Sequence, residues 1–225
     1  NPLTIINGYL ANLKRSISEM SFSQKDDLIN KLDKMSAASN RIFKIVNGLR
    51  SYTKGTSREQ SKFSFNELIE EINIMFCDLY QNKNVQFDIS FDYDLDLMLF
   101  GDRGKIQQVF VNLISNALDA MENKVNKDIK IISSINRQSQ QLVTKIIDCG
   151  VGIDENIKHK IFDPFFSTKE INKGTGIGLS IVYNIIQDHK GSIAVGNNPV
   201  GCGTCFTIQL PILKDISSSI KAISG

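Results

Sequence analysis

The chain has 225 residues, 41% of them hydrophobic and 22% charged, with a net charge of +2. That is enough for one large or two modest globular domains, and the near-neutral balance argues against a nucleic-acid or anionic-membrane partner. No apolar run is long enough to span a bilayer and no signal peptide is visible. The first residue, Asn1, already lies inside a helical pattern, so the chain reads as a cytoplasmic fragment whose membrane anchor or sensor domain, if any, lies upstream. The four cysteines, Cys77, Cys149, Cys202 and Cys205, do not read as a disulfide framework, and a reducing compartment is expected. Cys202 and Cys205 have a metal or redox spacing. They stand at a turn and strand start with no second cysteine or histidine pair, which favours the bland reading.

In chain order, residues 1–20 carry two apolar heptad series, Leu3/Leu10/Ile17 and Ile6/Leu13/Met20. Residues 24–54 continue with Leu28, Met35, Ile42 and Leu49, and with Leu32 and Val46, the second series interrupted by Ser39. Two such segments predict an antiparallel helical hairpin over 1–54. Two helices bury little, so a second copy is expected to complete a four-helix dimer; the alternative is packing on the chain's own C-terminal domain. Residues 55–62 are polar and aperiodic and predict a linker. Beyond it the pattern predicts a helix to about Gln81, with Asn66 offering an N-cap side chain. Strands follow at Val85–Phe91 and Leu97–Phe100, then a helix from about Arg103 to Met121, then strands at Ile129–Ile135 and Leu142–Asp148. A helix over Gly176–Asp188 and strands Ser192–Val195 and Thr204–Leu210 complete residues 63–213, and a Ser-rich tail, 214–225, is expected to fray. The fold class is therefore α+β: a helical hairpin followed by an α/β sandwich with a mixed, mostly antiparallel sheet.

Chemistry concentrates in four places. Asn112 and Asn116 sit one turn apart on one face of an otherwise apolar helix. They need partners there, which a metal–nucleotide complex or the neighbouring backbone would supply. Asp148-Cys149-Gly150-Val151-Gly152 ends a strand in a glycine turn. A polar loop with Phe162-Asp163-Pro164-Phe165-Phe166-Ser167-Thr168-Lys169 follows. Gly174-Thr175-Gly176-Ile177-Gly178-Leu179 then leads into a helix, where free N–H groups and the helix dipole suit a phosphate.

The order Asn-x3-Asn-Ala, Asp-x-Gly-x-Gly, Phe-x-Pro-Phe-Phe-x-Thr-Lys and Gly-x-Gly-x-Gly-Leu, over about residues 62–212, resembles the catalytic domain of sensor histidine kinases. The resemblance implies a Bergerat-type ATP site. Asp148 would accept from the adenine amino group, with Gly150 and Gly152 letting the backbone pass close to the base. Asn116 would ligate Mg²⁺ beside Asn112, and a mobile lid from about Asp154 to Thr175 would be anchored by Phe162, Phe165 and Phe166. Thr168 and Lys169 would face the nucleotide, Lys169 as a point charge on the terminal phosphate. Gly174, Thr175, Gly176, Gly178 and Leu179 would line the phosphate end. Hydrolysing members of the wider group carry a glutamate at the first asparagine position; Asn112 cannot act as a general base, which favours phosphoryl transfer to a protein.

The hairpin resembles the family's dimerisation helices, whose phospho-accepting histidine lies in a motif like His-Glu-x-x-Asn-Pro-Leu. Asn1-Pro2-Leu3 matches its end, so that histidine would precede Asn1, and Asn1 would take the water-positioning role in phosphatase action. His159 and His189 lie outside the hairpin, His189 at a helix end where a cation is favourable. Asp119 stands where many members carry a basic residue. The implied function is a two-component histidine kinase core, using Mg·ATP and signalling to a response-regulator receiver domain. The rivals are a nucleotide-binding module without phosphotransfer and a related serine kinase.

Overall fold

Alternation of side-chain burial along the strands decides which face of each carries the core. The computed structural model describes residues 2–18, 26–36, 39, 60–93, 96–169 and 175–213. The expectations for Asn1, Gly174, Ile42, Val46, Leu49, residues 55–59 and the tail 214–225 lie outside the described residues. The chain divides into two compact units. One holds the N-terminal helices and Phe165–Ile177; the other holds the remaining described residues up to Pro164 and from Gly178.

The second unit contains β1 (Ser61–Ser64), α3 (Phe65–Lys83), β2 (Gln86–Asp92), β3 (Met98–Gly101), α4 (Arg103–Ala120), β4 (Asp128–Asn136), β5 (Gln141–Asp148), α5 (Gly178–Asp188), β6 (Ser192–Asn197) and β7 (Thr204–Pro211). Strands β2, β4, β5, β7 and β6 lie in that order in one sheet. The β2–β4 pair is parallel and the other three pairs are antiparallel, so the sheet is mixed and mostly antiparallel. Ile129, Ile131 and Ser133 of β4 face Asp148, Ile146 and Thr144 of β5. Thr144 and Ile146 in turn face Ile208 and Phe206 of β7. These residues are buried. Because side chains alternate strictly along a strand, the register puts Asp148 on the buried, helix-facing side at the end of β5.

Helix α4 packs between α3 and α5. Its buried stripe, Ile106, Val109, Phe110, Leu113, Ile114 and Ala117, follows the helical period. Phe65 at the start of α3 is fully buried and meets Phe110 edge-on at 5.7 Å and Phe91 at 6.5 Å. Tyr80 stacks on Phe87 at 4.4 Å, joining the end of α3 to β2. The interior also holds a buried hydroxyl pair, Ser133 Oγ to Thr144 Oγ1 at 3.1 Å, which satisfies both groups where water is excluded.

Several local expectations are corrected. Ser61 and Lys62, expected in the linker, are strand residues of β1, paired with Gly101 and Phe100 of β3. The N-cap of α3 is Ser64, whose Oγ accepts from Glu67 N at 3.1 Å. Asn66 lies inside the helix, and its Oδ1 accepts from Tyr93 Oη at 3.1 Å. Helix α5 begins at Gly178 rather than Gly176, whose φ of +66° is not helical. His189, just past the end of α5, is held at both ring nitrogens. Its Nε2 accepts from Asp102 N at 3.0 Å and its Nδ1 donates to Ile185 O at 2.7 Å, which uses the ring as both acceptor and donor.

In the first unit, α1 (Pro2–Ser18) and a helix over 26–36, α2, are joined by an ion pair, Lys14 Nζ to Asp33 Oδ1 at 2.6 Å. Leu10 and Leu32 are buried, whereas Ile6, Tyr9, Leu13 and Met35 are exposed. The heptads are thus only partly buried within a single chain.

Candidate functional site

Asp148 closes β5 with its side chain on the core face and only 4% of its surface exposed. Its Oδ1 accepts from Gly150 N at 2.8 Å and from Thr204 N at 3.2 Å. Burial pushes this carboxyl above its ordinary range, while the Gly150 and Thr204 N–H groups and the Thr204 side chain pull it back. A partly desolvated carboxylate at a strand end, oriented by two backbone donors on one oxygen, is a prepared acceptor for an N–H on a ligand. The backbone around it is tightly packed. A Cβ on Gly150 would stand 2.7 Å from Ala120 Cβ, and one on Gly203 only 2.0 Å from Asp148 O. Gly203 has φ +125°, a conformation L side chains rarely adopt. Gly152, at φ +78°, continues the turn.

Helix α4 runs past this turn, since Val151 N donates to Ala120 O at 3.3 Å. Asn112 and Asn116 share its half-exposed face. Asn112 Nδ2 donates to Gly178 O at 3.3 Å, so the first asparagine ties α4 to the start of α5, where Leu179 is half-buried. The second unit therefore brings together Asp148, Gly150, Gly152, Asn112, Asn116, Gly178 and Leu179. Asp119, where a basic residue is usual, is exposed near the end of α4.

The loop after β5 is split between the two units. Glu155–Ile157 forms a 3₁₀ turn capped by Asp154. Lys158 Nζ reaches Glu155 at 2.5 Å and Asn197 Oδ1 at 3.0 Å, and its bond holds the Glu155 carboxyl below its ordinary value. Phe162 packs against Tyr183 of α5, with ring centroids 5.6 Å apart. Phe165–Ile177 belongs to the other unit. Its ends close on each other: Phe165 N donates to Gly176 O at 2.8 Å, and a Cβ on Gly176 would lie 2.4 Å from the Phe165 carbonyl carbon. Phe165 is 67% exposed with φ +68°, so it is not an apolar anchor as expected. Phe166 is half-buried, Thr168 and Lys169 are exposed, and Thr175 Oγ1 accepts from Ile177 N at 3.4 Å.

Among the described residues no cluster of three or more His, Cys, Asp and Glu could cage a metal ion. A single amide oxygen at Asn116, completed by phosphate oxygens and water, suits Mg²⁺, which keeps several waters and is often held largely by nucleotide oxygens. The cysteines are free thiols, Cys202 exposed in a turn and Cys205 buried in β7.

Residues 101–214, half of the chain, match the family described as "Histidine kinase-, DNA gyrase B-, and HSP90-like ATPase". This chain belongs to that ATPase family. Within it, the catalytic domain is of the sensor histidine kinase kind. It is 37% identical to the solved catalytic domain of the histidine kinase ThkA, covering 68% of this chain and 96% of that one, with a TM-score of 0.60. ThkA in complex with the response regulator TrrA matches over 96% of this chain and 59% of that one, at 30% identity and a TM-score of 0.67. The signal transduction histidine-protein kinase AtoS of Escherichia coli K12 is 34% identical over 94% of this chain, which spans 33% of AtoS. The chain thus covers about a third of that curated relative.

Two residues that hydrogen-bond Asp148, Thr204 and Asn198, were not among the expected ones. Thr204 is visible in the sequence only as part of a Gly-Thr-x-Phe strand start, and Asn198 only as the first residue of an Asn-Pro-x-Gly turn. Neither pattern indicates by itself what the turn packs on.

Proposed function

We propose that this chain is the dimerisation and ATP-binding core of a two-component histidine kinase. The observation that carries the reading is Asp148: a buried carboxylate at a strand end, oriented by Gly150 and Thr204, in a domain of the histidine kinase kind. Asp148 accepts from the adenine amino group, and the turn through Gly150 and Gly152 lies along the base. Asn116 is the Mg²⁺ ligand that the family motif indicates. Mg²⁺, when bound, supplies charge neutralisation on the phosphates. Asn112 orients the start of α5 through Gly178 and, being an amide, cannot take a proton from water. This favours transfer of the γ-phosphoryl to a histidine nitrogen, with the bond to the β-phosphate oxygen breaking and ADP leaving. A response-regulator aspartate is the onward acceptor, a partner supported by the ThkA–TrrA likeness. Phe166, Thr168, Lys169, Gly174, Thr175 and Gly176 enter the proposal on their sequence alone, as do Asn1 in phosphatase action and the boundaries at residues 54 and 213.

The exposed apolar stripe Ile6, Tyr9 and Leu13 on α1, with Met35 on α2, supports a homodimer, because a second hairpin would bury it. Among the described residues no helix is long and apolar enough to cross a membrane; ATP and a receiver-domain partner point to the cytoplasm. The test is calorimetry of Mg·ATP, followed by phosphoryl transfer to a histidine-bearing hairpin extended upstream of Asn1. Micromolar-range binding and an acid-labile phosphate support the reading. Binding without transfer points to a nucleotide-sensing module, acid-stable phosphate to a serine kinase, and no binding refutes the site.

A further inference from the structure

We infer that Asn198 is a positioning residue for adenine recognition: it holds the Asp148 backbone from the β6–β7 turn and so sets the aim of its carboxylate. This deepens the proposed function and rests on Asp148 being the adenine acceptor.

Asn198 Nδ2 donates to Asp148 O at 2.9 Å and lies 3.4 Å from Cys202 O. Its Oδ1 accepts from Val200 N at 2.9 Å, an Asx turn across Pro199. Its own N–H donates to Gly203 O at 3.1 Å. One amide therefore folds the turn with its oxygen and ties that turn to Asp148 with its nitrogen. The same turn supplies two further constraints. Thr204 N reaches Asp148 Oδ1, and Gly203 lies so close to Asp148 O that a Cβ would stand 2.0 Å away. Backbone and carboxylate of Asp148 are thus held from one short segment fifty residues along the chain. The peptide after Asp148 cannot rotate without breaking the Asn198 bond, and its rotation would carry Gly150 N away from Oδ1. An acceptor that must meet an exocyclic amino group within hydrogen-bond reach is sensitive to such a rotation.

The experiment compares ADP with inosine diphosphate, which lacks the 6-amino donor, by calorimetry on the full chain. Asn198→Asp keeps the turn-forming oxygen and removes the donor to Asp148; Asn198→Ala removes both. For Asn198→Asp we expect ADP binding weakened about fivefold to tenfold, the scale of one lost hydrogen bond. Inosine diphosphate binding should be unchanged, so the preference for adenine falls by the same factor. A purely structural role would weaken both nucleotides alike, and an equal loss or no loss overturns the inference. Wild-type chain with no preference for ADP overturns the adenine reading, and this inference with it. A wild-type preference retained in Asn198→Asp overturns this inference alone. Should the variants unfold, the wild-type Asn198 side-chain amide resonances decide the matter. They should shift on adding ADP and not on adding inosine diphosphate; identical responses to the two overturn the inference.

Discussion

Asp148→Asn replaces one carboxylate oxygen by an NH₂ group, and the structure determines which one. Gly150 N and Thr204 N both point at Oδ1. An asparagine must keep its oxygen there, or two buried donors lose their acceptor at about 1–3 kcal/mol each. Its NH₂ therefore takes the other position, which on the proposed function meets the adenine amino group, also a donor. A bond to a charged acceptor, worth about 1.5–3 kcal/mol, is replaced by two donors in opposition. At 1.4 kcal/mol per decade this is roughly tenfold to 150-fold in Kd. Stability should move the other way. The Asp148 carboxyl lies above its ordinary 3.8 in the folded chain because burial disfavours the charge. Stability from a raised carboxyl is complete below the unfolded value and lost as pH rises through the folded value. Asparagine does not titrate, so the variant's stability relative to wild type should grow with pH across the acid range and then level off. Calorimetry with Mg·ATP and urea unfolding at several pH values test both halves. Unchanged affinity, or a variant whose relative stability falls as pH rises, refutes the reasoning.

Gly203→Ala should destabilise the domain by about 1–3 kcal/mol or more, from positive-φ strain and the close Asp148 carbonyl, and should weaken ADP binding; an unshifted urea midpoint contradicts this. Phe110→Ala removes a fully buried ring edge-on to Phe65 and should cost about 3–5 kcal/mol, read from chemical denaturation. Asn112→Ala removes the side-chain bond to Gly178 O and should lower ADP affinity roughly twofold to tenfold with little loss of stability, matching one neutral hydrogen bond. Ile6→Lys with Leu13→Lys places charges on the exposed stripe of α1 and should halve the mass seen by light scattering, leaving ADP affinity unchanged.

Much of the second unit was legible because its signals are local. Alternation in Ile129–Ile135 and Leu142–Asp148 marked two strands, and the period of Ile106 to Ala117 marked α4 with Asn112 and Asn116 on one face. Asp148 was legible as a strand end before a glycine turn. The short β1 was not, because Ser61–Ser64 becomes a strand only by pairing with Met98–Gly101. Ser64 displaced Asn66 as the N-cap because that pairing sets where α3 begins.

Periodicity and glycine spacing, which depend on neighbours a few residues away, determined the elements, their order and the four motif blocks. Only the tertiary structure decided what each turn rests on. His189 meets Asp102 across 87 residues, Asn198 meets Asp148 across 50, and only glycine fits at position 203, because Asp148 O occupies the space a Cβ would need. Such contacts form when the sheet register brings distant segments to one end of the fold, and no local pattern encodes that juxtaposition. Residues 148–152 marked the site in the sequence; the way its carboxylate is aimed comes from the β6–β7 turn.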